Sequence, residues 1–319
     1  MRSDLSTVSL DTLGVLRVRG ADAPAFLQGQ LSNDLERLSA DHSFLAGYHN
    51  PQGRVIALLR VLQLAPGELL AVLPRELIAT VVTRLTKFIL RAKVRLADDS
   101  QQWRVSGLLA EGAEPGGDTI AARADSEFVA ALPAAENAVA HLAGAVAVRV
   151  AQQPARWLLI APVSQVPLTA ATVAPENWQR GAIAAGEPQV YAATSEEFVA
   201  QMLNLDALGA IAFDKGCYTG QEVIARAHYR GRVKRRMQRF VTRAPHALQP
   251  GDAGELADGR AFRVVEAVRL ADGRCEFLAV APLETGPGDA EGAGAAGAAA
   301  AAVGSLAAQA LPLPYALPS

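Results

Sequence analysis

Cysteine is scarce in this sequence: 319 residues carry two, Cys217 and Cys275. Two distant cysteines make no disulfide framework. Without a CxxC pair, one chain lacks the four thiolates of a zinc or iron–sulfur site, so no stably bound metal is expected. No uninterrupted apolar run of about 18 residues spans the middle of the chain, which argues against a transmembrane helix. The opening Met1-Arg2-Ser3-Asp4-Leu5 has neither the apolar core nor the cleavage site of a secretory signal. With so little cysteine, this points to the reducing cytoplasm. No GxGxxG or Walker pattern occupies a strand-to-helix turn, so dinucleotide and ATP binding have no support. A net charge of −2 gives no global sign of a nucleic-acid partner.

Half the residues are hydrophobic, enough to core two or three packed units. Strands are expected over 14–19, 44–48, 54–64, 68–73 and 93–97, with Asn50-Pro51-Gln52-Gly53 and Pro66-Gly67 as turns. Asp22 and Pro24 open a short helix, Asp22 as N-cap. Leu77, Ile78, Val81, Val82, Leu85, Phe88 and Ile89 recur at helical spacing and predict an amphipathic helix through Ile89. Further strands are expected over 103–110, 145–150 and 156–162, with helices near 134–142 and from Pro175 to Gly186. Strands and helices mix without a βαβ rhythm, so the fold class is α+β. From Arg235 onward, short strands between Pro250-Gly251-Asp252, Asp258-Gly259 and Ala271-Asp272-Gly273 predict a small C-terminal β-barrel. The expected division is therefore 1–234 and 235–319, the latter carrying an Ala/Gly-rich insert over 288–302 with too few bulky groups to pack.

The most informative stretch is Asp214-Lys215-Gly216-Cys217-Tyr218-Thr219-Gly220-Gln221-Glu222-Val223-Ile224-Ala225-Arg226. Gly216 and Gly220 bracket the cysteine and permit positive φ or a close approach. Thr219 and Glu222 have the spacing of a capping box, which would put Cys217 just outside a helix N-terminus, two residues from Lys215. A dipole end and a cation both favour thiolate; the alternative is a small buried hydrophobe. Residues 215–243 hold nine basic side chains against one acid, Glu222, a local charge of +8. That run reads either as an anion site for RNA phosphate or a carboxylate tail, or as a solvated face. Aromatic interleaving is thin there, limited to Tyr218, Tyr229 and Phe240. His228 has no stated reason to meet Cys217 and reads as a surface or structural residue. Trp178 either stacks on a flat heterocycle or packs in the core.

The run Lys215 to Glu222 with Ala225-Arg226 resembles the signature of the YgfZ family of folate-binding proteins, relatives of the glycine-cleavage T-protein (aminomethyltransferase). Phe26–Leu31 with Asn33-Asp34, Pro51–Arg54, Trp178 with Ile183–Pro188, Asn204-Leu205, Leu208-Gly209, Phe213 and Leu313-Pro314-Tyr315 extend the likeness over most of the chain. The resemblance implies a three-part ring of two α+β units and a C-terminal barrel around a central pocket for tetrahydrofolate or a derivative. It implies that Trp178 lies against the folate, with Lys215, Gly216, Tyr218, Gln221, Glu222 and Arg226 as further contacts and Cys217 as the functional thiolate. A second family tryptophan is Leu13 here. Where the T-protein branch has paired aspartates this chain has Ala57-Leu58, neither of which titrates, so aminomethyl transfer is not expected.

Three functions follow as hypotheses. The first is a folate-dependent accessory factor for assembly or repair of iron–sulfur enzymes such as a radical-SAM tRNA methylthiotransferase, and thereby tRNA modification. The second is a folate one-carbon enzyme using Cys217. The third is direct tRNA binding through the basic run.

Overall fold

The computed structural model describes residues 5–110, 126–142, 144–165, 171–231, 233–243, 247–283 and 302–318. In chain order the first elements are β1 (Leu5–Ser9), β2 (Leu13–Arg19), α1 (Ala23–Gln28), β3 (Phe44–His49), β4 (Val55–Ala65), β5 (Glu68–Pro74), α2 (Arg75–Thr86) and β6 (Arg95–Asp98). Next come β7 (Trp103–Ala110), α3 (Ser126–Ala130), β8 (Val139–Leu142), β9 (Ala145–Ala151), β10 (Arg156–Pro162), β11 (Ala171–Thr172), α4 (Pro175–Ala184) and α5 (Gln221–Arg230). The chain ends with β12 (Arg235–Thr242), β13 (Ala253–Leu256), β14 (Ala261–Arg269), β15 (Cys275–Pro282), β16 (Ala302–Leu306) and β17 (Gln309–Leu311).

These strands form three sheets, ordered β11-β1-β7-β10-β9-β8, β3-β4-β5-β2-β6 and β16-β13-β14-β15-β12-β17. The third curls into a half-barrel. The five-stranded sheet sits between apolar layers, and β5 shows why. Leu69, Ala71 and Leu73 belong to one core with α2 and residues of the half-barrel, including Met237, Val265 and Leu278. Leu70 and Val72 belong to another, with Val105, Val146 and Ile160 of the first sheet. Side chains alternate across a strand, so a strand buried on both faces must be apolar throughout, as Leu69–Leu73 is.

Most expected elements are present, with three differences. Residues 134–142 contain no helix; Val139–Leu142 is instead an edge strand pairing Val139 with Val148 and Leu142 with Ala145. Pairing along β9 overrides the helix propensity of the local alanines. Helix α2 ends at Thr86, and Phe88 and Ile89 lie beyond it, Phe88 being 48% exposed. Asp22 does hold the N-cap position of α1, but its carboxylate accepts from the Lys93 N–H, 2.7 Å away, and so ties the helix start to the approach to β6. The Ala/Gly tract over 288–301 lies outside the described residues. No described helix is long and apolar enough to cross a membrane.

Candidate functional site

A cavity of about 240 Å³ opens where the three sheets meet. The first sheet and its connections give Leu10, Val150 and Leu158; the second gives Leu13, Leu58, Arg60 and Val72; the half-barrel gives Glu266. Helix α4 supplies Trp178 and Gln179. Pro175 fits the first turn of this helix because its fixed φ suits that position and its missing N–H would be unpaired there anyway.

Trp178 is positioned from below. Its ring lies so close to β7 that a Cβ on Gly107 would meet Cε3 at 2.3 Å. The Arg156 guanidinium lies 4.8 Å from the ring centroid. Arg156 is wholly buried, and its Nη2 donates to Glu187 Oε2 at 2.6 Å. Its Nε and Nη1 have no hydrogen-bond partner among the described residues, so the indole face is the main compensation for that side of the cation. The result is an aromatic face with positive charge behind it.

The rest of the wall is mostly apolar, with Ser9, Asp11, Thr12 and Gln179 as scattered polar residues and a further polar group around Tyr191 and Glu266. There Tyr191 donates its hydroxyl to Glu266 Oε2, and burial pushes the Glu266 carboxyl up to about 7. Arg60 donates to Asn137 Oδ1, and burial pulls its guanidinium down to about 10, leaving it charged at neutral pH. Glu187 and Gln189 also line the wall, and the charge of Glu187 acts on Arg60. Arg60, Tyr191 and Glu266 were not singled out from the sequence, and Glu187 stood there only within the Ile183–Pro188 likeness. One of them carried a usable signal: Arg60 is the single charge in the otherwise largely apolar β4, and a lone charge in such a register needs a partner or a ligand.

The signature stretch forms a separate centre, and none of its residues lines this cavity. Lys215 drives its ammonium into a cage of three carbonyls, donating to Gln28 O and Leu31 O at 2.7 Å and to Asn33 O at 2.8 Å. Burial pulls its pKa down to about 8. It thus pins the signature to the segment after α1, and Asp214 reinforces this with an ion pair to Arg37 at 2.6 Å. Tyr218 is buried beneath, 6.2 Å ring-to-ring from His49, with the Lys215 ammonium 5.1 Å from its ring.

Gly220, at φ +83°, caps α5. A Cβ there would meet Asn50 O at 2.5 Å, so the signature closes directly on the Asn50–Gly53 turn. Because Gly220 is the N-cap and makes no side-chain cap bond, the expected Thr219–Glu222 capping box is not formed. Gly216 needs no special φ and has open space where a Cβ would stand. Cys217 is exposed, in the loop before α5. Gln221 is half-buried, and Glu222 and Arg226 are exposed on the helix.

The basic run divides. Arg236 makes a bidentate pair with Asp206 at 2.9 Å, buried on both sides, and Arg239 pairs with Glu276 at 2.8 Å. Arg235 and Arg243 donate to the carbonyls of Ala261 and Asp272. Arg226, Arg230 and Lys234 are exposed and unpaired among the described residues, while Arg232 lies outside them. Beside these cations the structure assembles an aromatic group: His228 stacks on Phe213 at 3.7 Å, and Tyr229, 67% exposed, stands edge-on to both.

The chain is similar to known proteins over most of its length. The chain is 30% identical to the tRNA-modifying protein YgfZ of Yersinia pseudotuberculosis, over 98% of this chain and 93% of that protein. The chain belongs to the YgfZ family. The Serratia proteamaculans member is 31% identical over 84% of this chain and 82% of its own length. No protein-family model matches. Among solved structures, aminomethyltransferase T of the glycine cleavage system from Bartonella henselae superposes with a TM-score of 0.64 at 12% identity, covering 88% of this chain and 79% of that one. That likeness establishes the T-protein fold for this family member.

Proposed function

We propose that this protein is a tetrahydrofolate-binding accessory factor that supports iron–sulfur enzymes, and through one of them tRNA modification. The carrying observation is the cavity at the junction of the three sheets. Its Trp178 face, backed by the Arg156 cation, suits a flat electron-rich heterocycle, and its polar lining residues supply acceptors and donors for ring heteroatoms. A folate ring fits this donor set: Trp178 would hold its face, and Glu187, Gln189, Tyr191 and Glu266 its polar edge. When bound, folate supplies a one-carbon carrier. The chain's own residues bind it, orient it and exclude water. Leu58 gives the wall an apolar side chain where a titrating group would be needed for proton transfer.

Cys217 has a different place in this reading. Nucleophilic attack needs an approach of about 3–3.5 Å, and Cys217 does not line the cavity. The exposed thiol is therefore presented to a partner, such as an iron–sulfur enzyme, rather than to the folate ring. This favours an accessory role over a one-carbon enzyme with a cysteine nucleophile. In cells lacking the native gene, wild type should restore iron–sulfur enzyme activity and the methylthio content of tRNA. Cys217→Ala and Trp178→Ala at matched levels should restore neither. Full rescue by Cys217→Ala would remove the thiol from the mechanism.

A second reading, direct contact with tRNA, draws support from the Phe213–His228–Tyr229 group beside Arg226, Arg230 and Lys234. Stacking rings among free cations suit unpaired bases and phosphates. A tRNA affinity that falls steeply with salt, and falls further in Tyr229→Ala, would support it.

A further inference from the structure

The cavity beside Trp178 has room for a bicyclic ring but is small for a drug-sized ligand. The remainder of a folate, an aminobenzoyl group ending in one or more γ-linked glutamates, must leave it. Leu10 and Asp11, in the turn between β1 and β2, and Leu13, the first residue of β2, border this cavity and also a second one of about 160 Å³. The second cavity is polar where the first is apolar. It is lined by Arg75, Ser100, Gln101 and Arg104, with Trp103 and Val105 as its apolar part.

We infer that this second cavity is the subsite for the oligo-γ-glutamate tail, a conclusion that rests on the folate reading above. Arg104 is exposed and has no hydrogen-bond or ion-pair partner among the described residues. Arg75 is exposed and donates one bond, from Nη2 to Ser100 O at 3.1 Å, leaving the rest of its fork free. Arg75 is also the first residue of α2, twelve residues long, so the positive end of the helix faces the same place.

The nearby acids are largely committed. Asp11 accepts from Ser9 Oγ at 2.8 Å, Asp98 accepts from the N–H and hydroxyl of Ser100, and Asp99 pairs with Arg17 at 3.2 Å. Two cations thus stand one short turn from the ring cavity. Guanidinium forks match carboxylates, and each glutamate added to the tail brings one more.

The test compares 5-formyl-tetrahydrofolate carrying one and three glutamates, by calorimetry on the full chain at low salt. Wild type should bind the triglutamate about tenfold tighter, as two exposed ion pairs allow. Arg104→Glu should bring the ratio between the two ligands near one, and Arg104→Lys should keep most of it. An undiminished ratio in Arg104→Glu, or a wild-type ratio of one, overturns the inference. A third probe, p-aminobenzoyl-tri-γ-glutamate without the pterin, separates this outcome from failure of the folate reading. If wild type binds neither folate, binding of the tail fragment to wild type but not to Arg104→Glu retains the subsite and discards the folate. Binding to neither discards both.

Discussion

Replacing Lys215 with methionine tests whether the signature is held by its lysine or uses that lysine on a ligand. The ammonium satisfies three carbonyls, those of Gln28, Leu31 and Asn33, at 2.7–2.8 Å. Methionine keeps the apolar stem and removes every donor. Each buried acceptor left unmade costs about 1–3 kcal/mol. Relief from burying the charge, visible in the lowered lysine pKa, offsets part of that total. The expected net loss is about 2–4 kcal/mol, read as a lower urea midpoint at unchanged slope. Tetrahydrofolate affinity, measured well below the midpoint, should hold, because Lys215 does not line the Trp178 cavity. A stability loss below about 1 kcal/mol together with lost folate binding would refute the reasoning and make Lys215 a ligand contact.

Two further predictions concern single residues. Gly220→Ala puts a Cβ at φ +83° and 2.5 Å from Asn50 O, so it should cost about 2 kcal/mol or more in the same urea assay; Gly216→Ala, in open space, should stay within about 1 kcal/mol of wild type. The pH dependence should show two buried groups in opposition. Burial pushes His49 down to about 3, so the unfolded imidazole takes up a proton the folded one refuses, and this contribution is lost as pH falls below about 6.5. Burial pushes Glu266 up to about 7, so its contribution is present at acid pH and lost as pH rises towards 7. In Glu266→Gln, stability should therefore fall by about 1 kcal/mol from pH 6 to pH 5, and adding His49→Phe should abolish that slope; a slope that persists in the double variant would assign the proton elsewhere.

What the sequence disclosed was local. Turns with glycine, asparagine and proline, the apolar strands, and the signature with its partner segments were all legible, because each rests on residues close together in the chain. The exceptions have a common cause. The Val139–Leu142 strand exists because β9 offers an edge to pair with. The basic run loses its unity because Glu276 on β15 reaches Arg239 across the β12–β15 pairing and Asp206, in a turn before the signature, reaches Arg236, contacts that no charge count contains. Trp178 was legible as a residue and not as a site. Its setting depends on Gly107 and Arg156, far from it in sequence and brought together by the first sheet. The aromatic group at α5 was missed because Phe213 stands outside the helix that carries its partners.

The β3–β4 hairpin gives the two centres a physical relation. Its turn, Asn50–Gly53, is the surface on which Gly220 closes, and His49 at the end of β3 lies by Tyr218. Further along β4, Leu58 and Arg60 form part of the cavity wall. His49 pairs with Val55, three residues from Leu58, so at about 3.3 Å per residue the part of the strand beside Tyr218 and the cavity wall are about 10 Å apart along β4. Both therefore sit on one buried strand: the signature at its solvent-facing turn, the ring cavity in its interior. Such a strand holds a fixed distance well and transmits a small shift through packing that is already close to solid density. On the proposed reading, the thiol meets one molecule while the cavity holds another, and β4 is the element the two centres share.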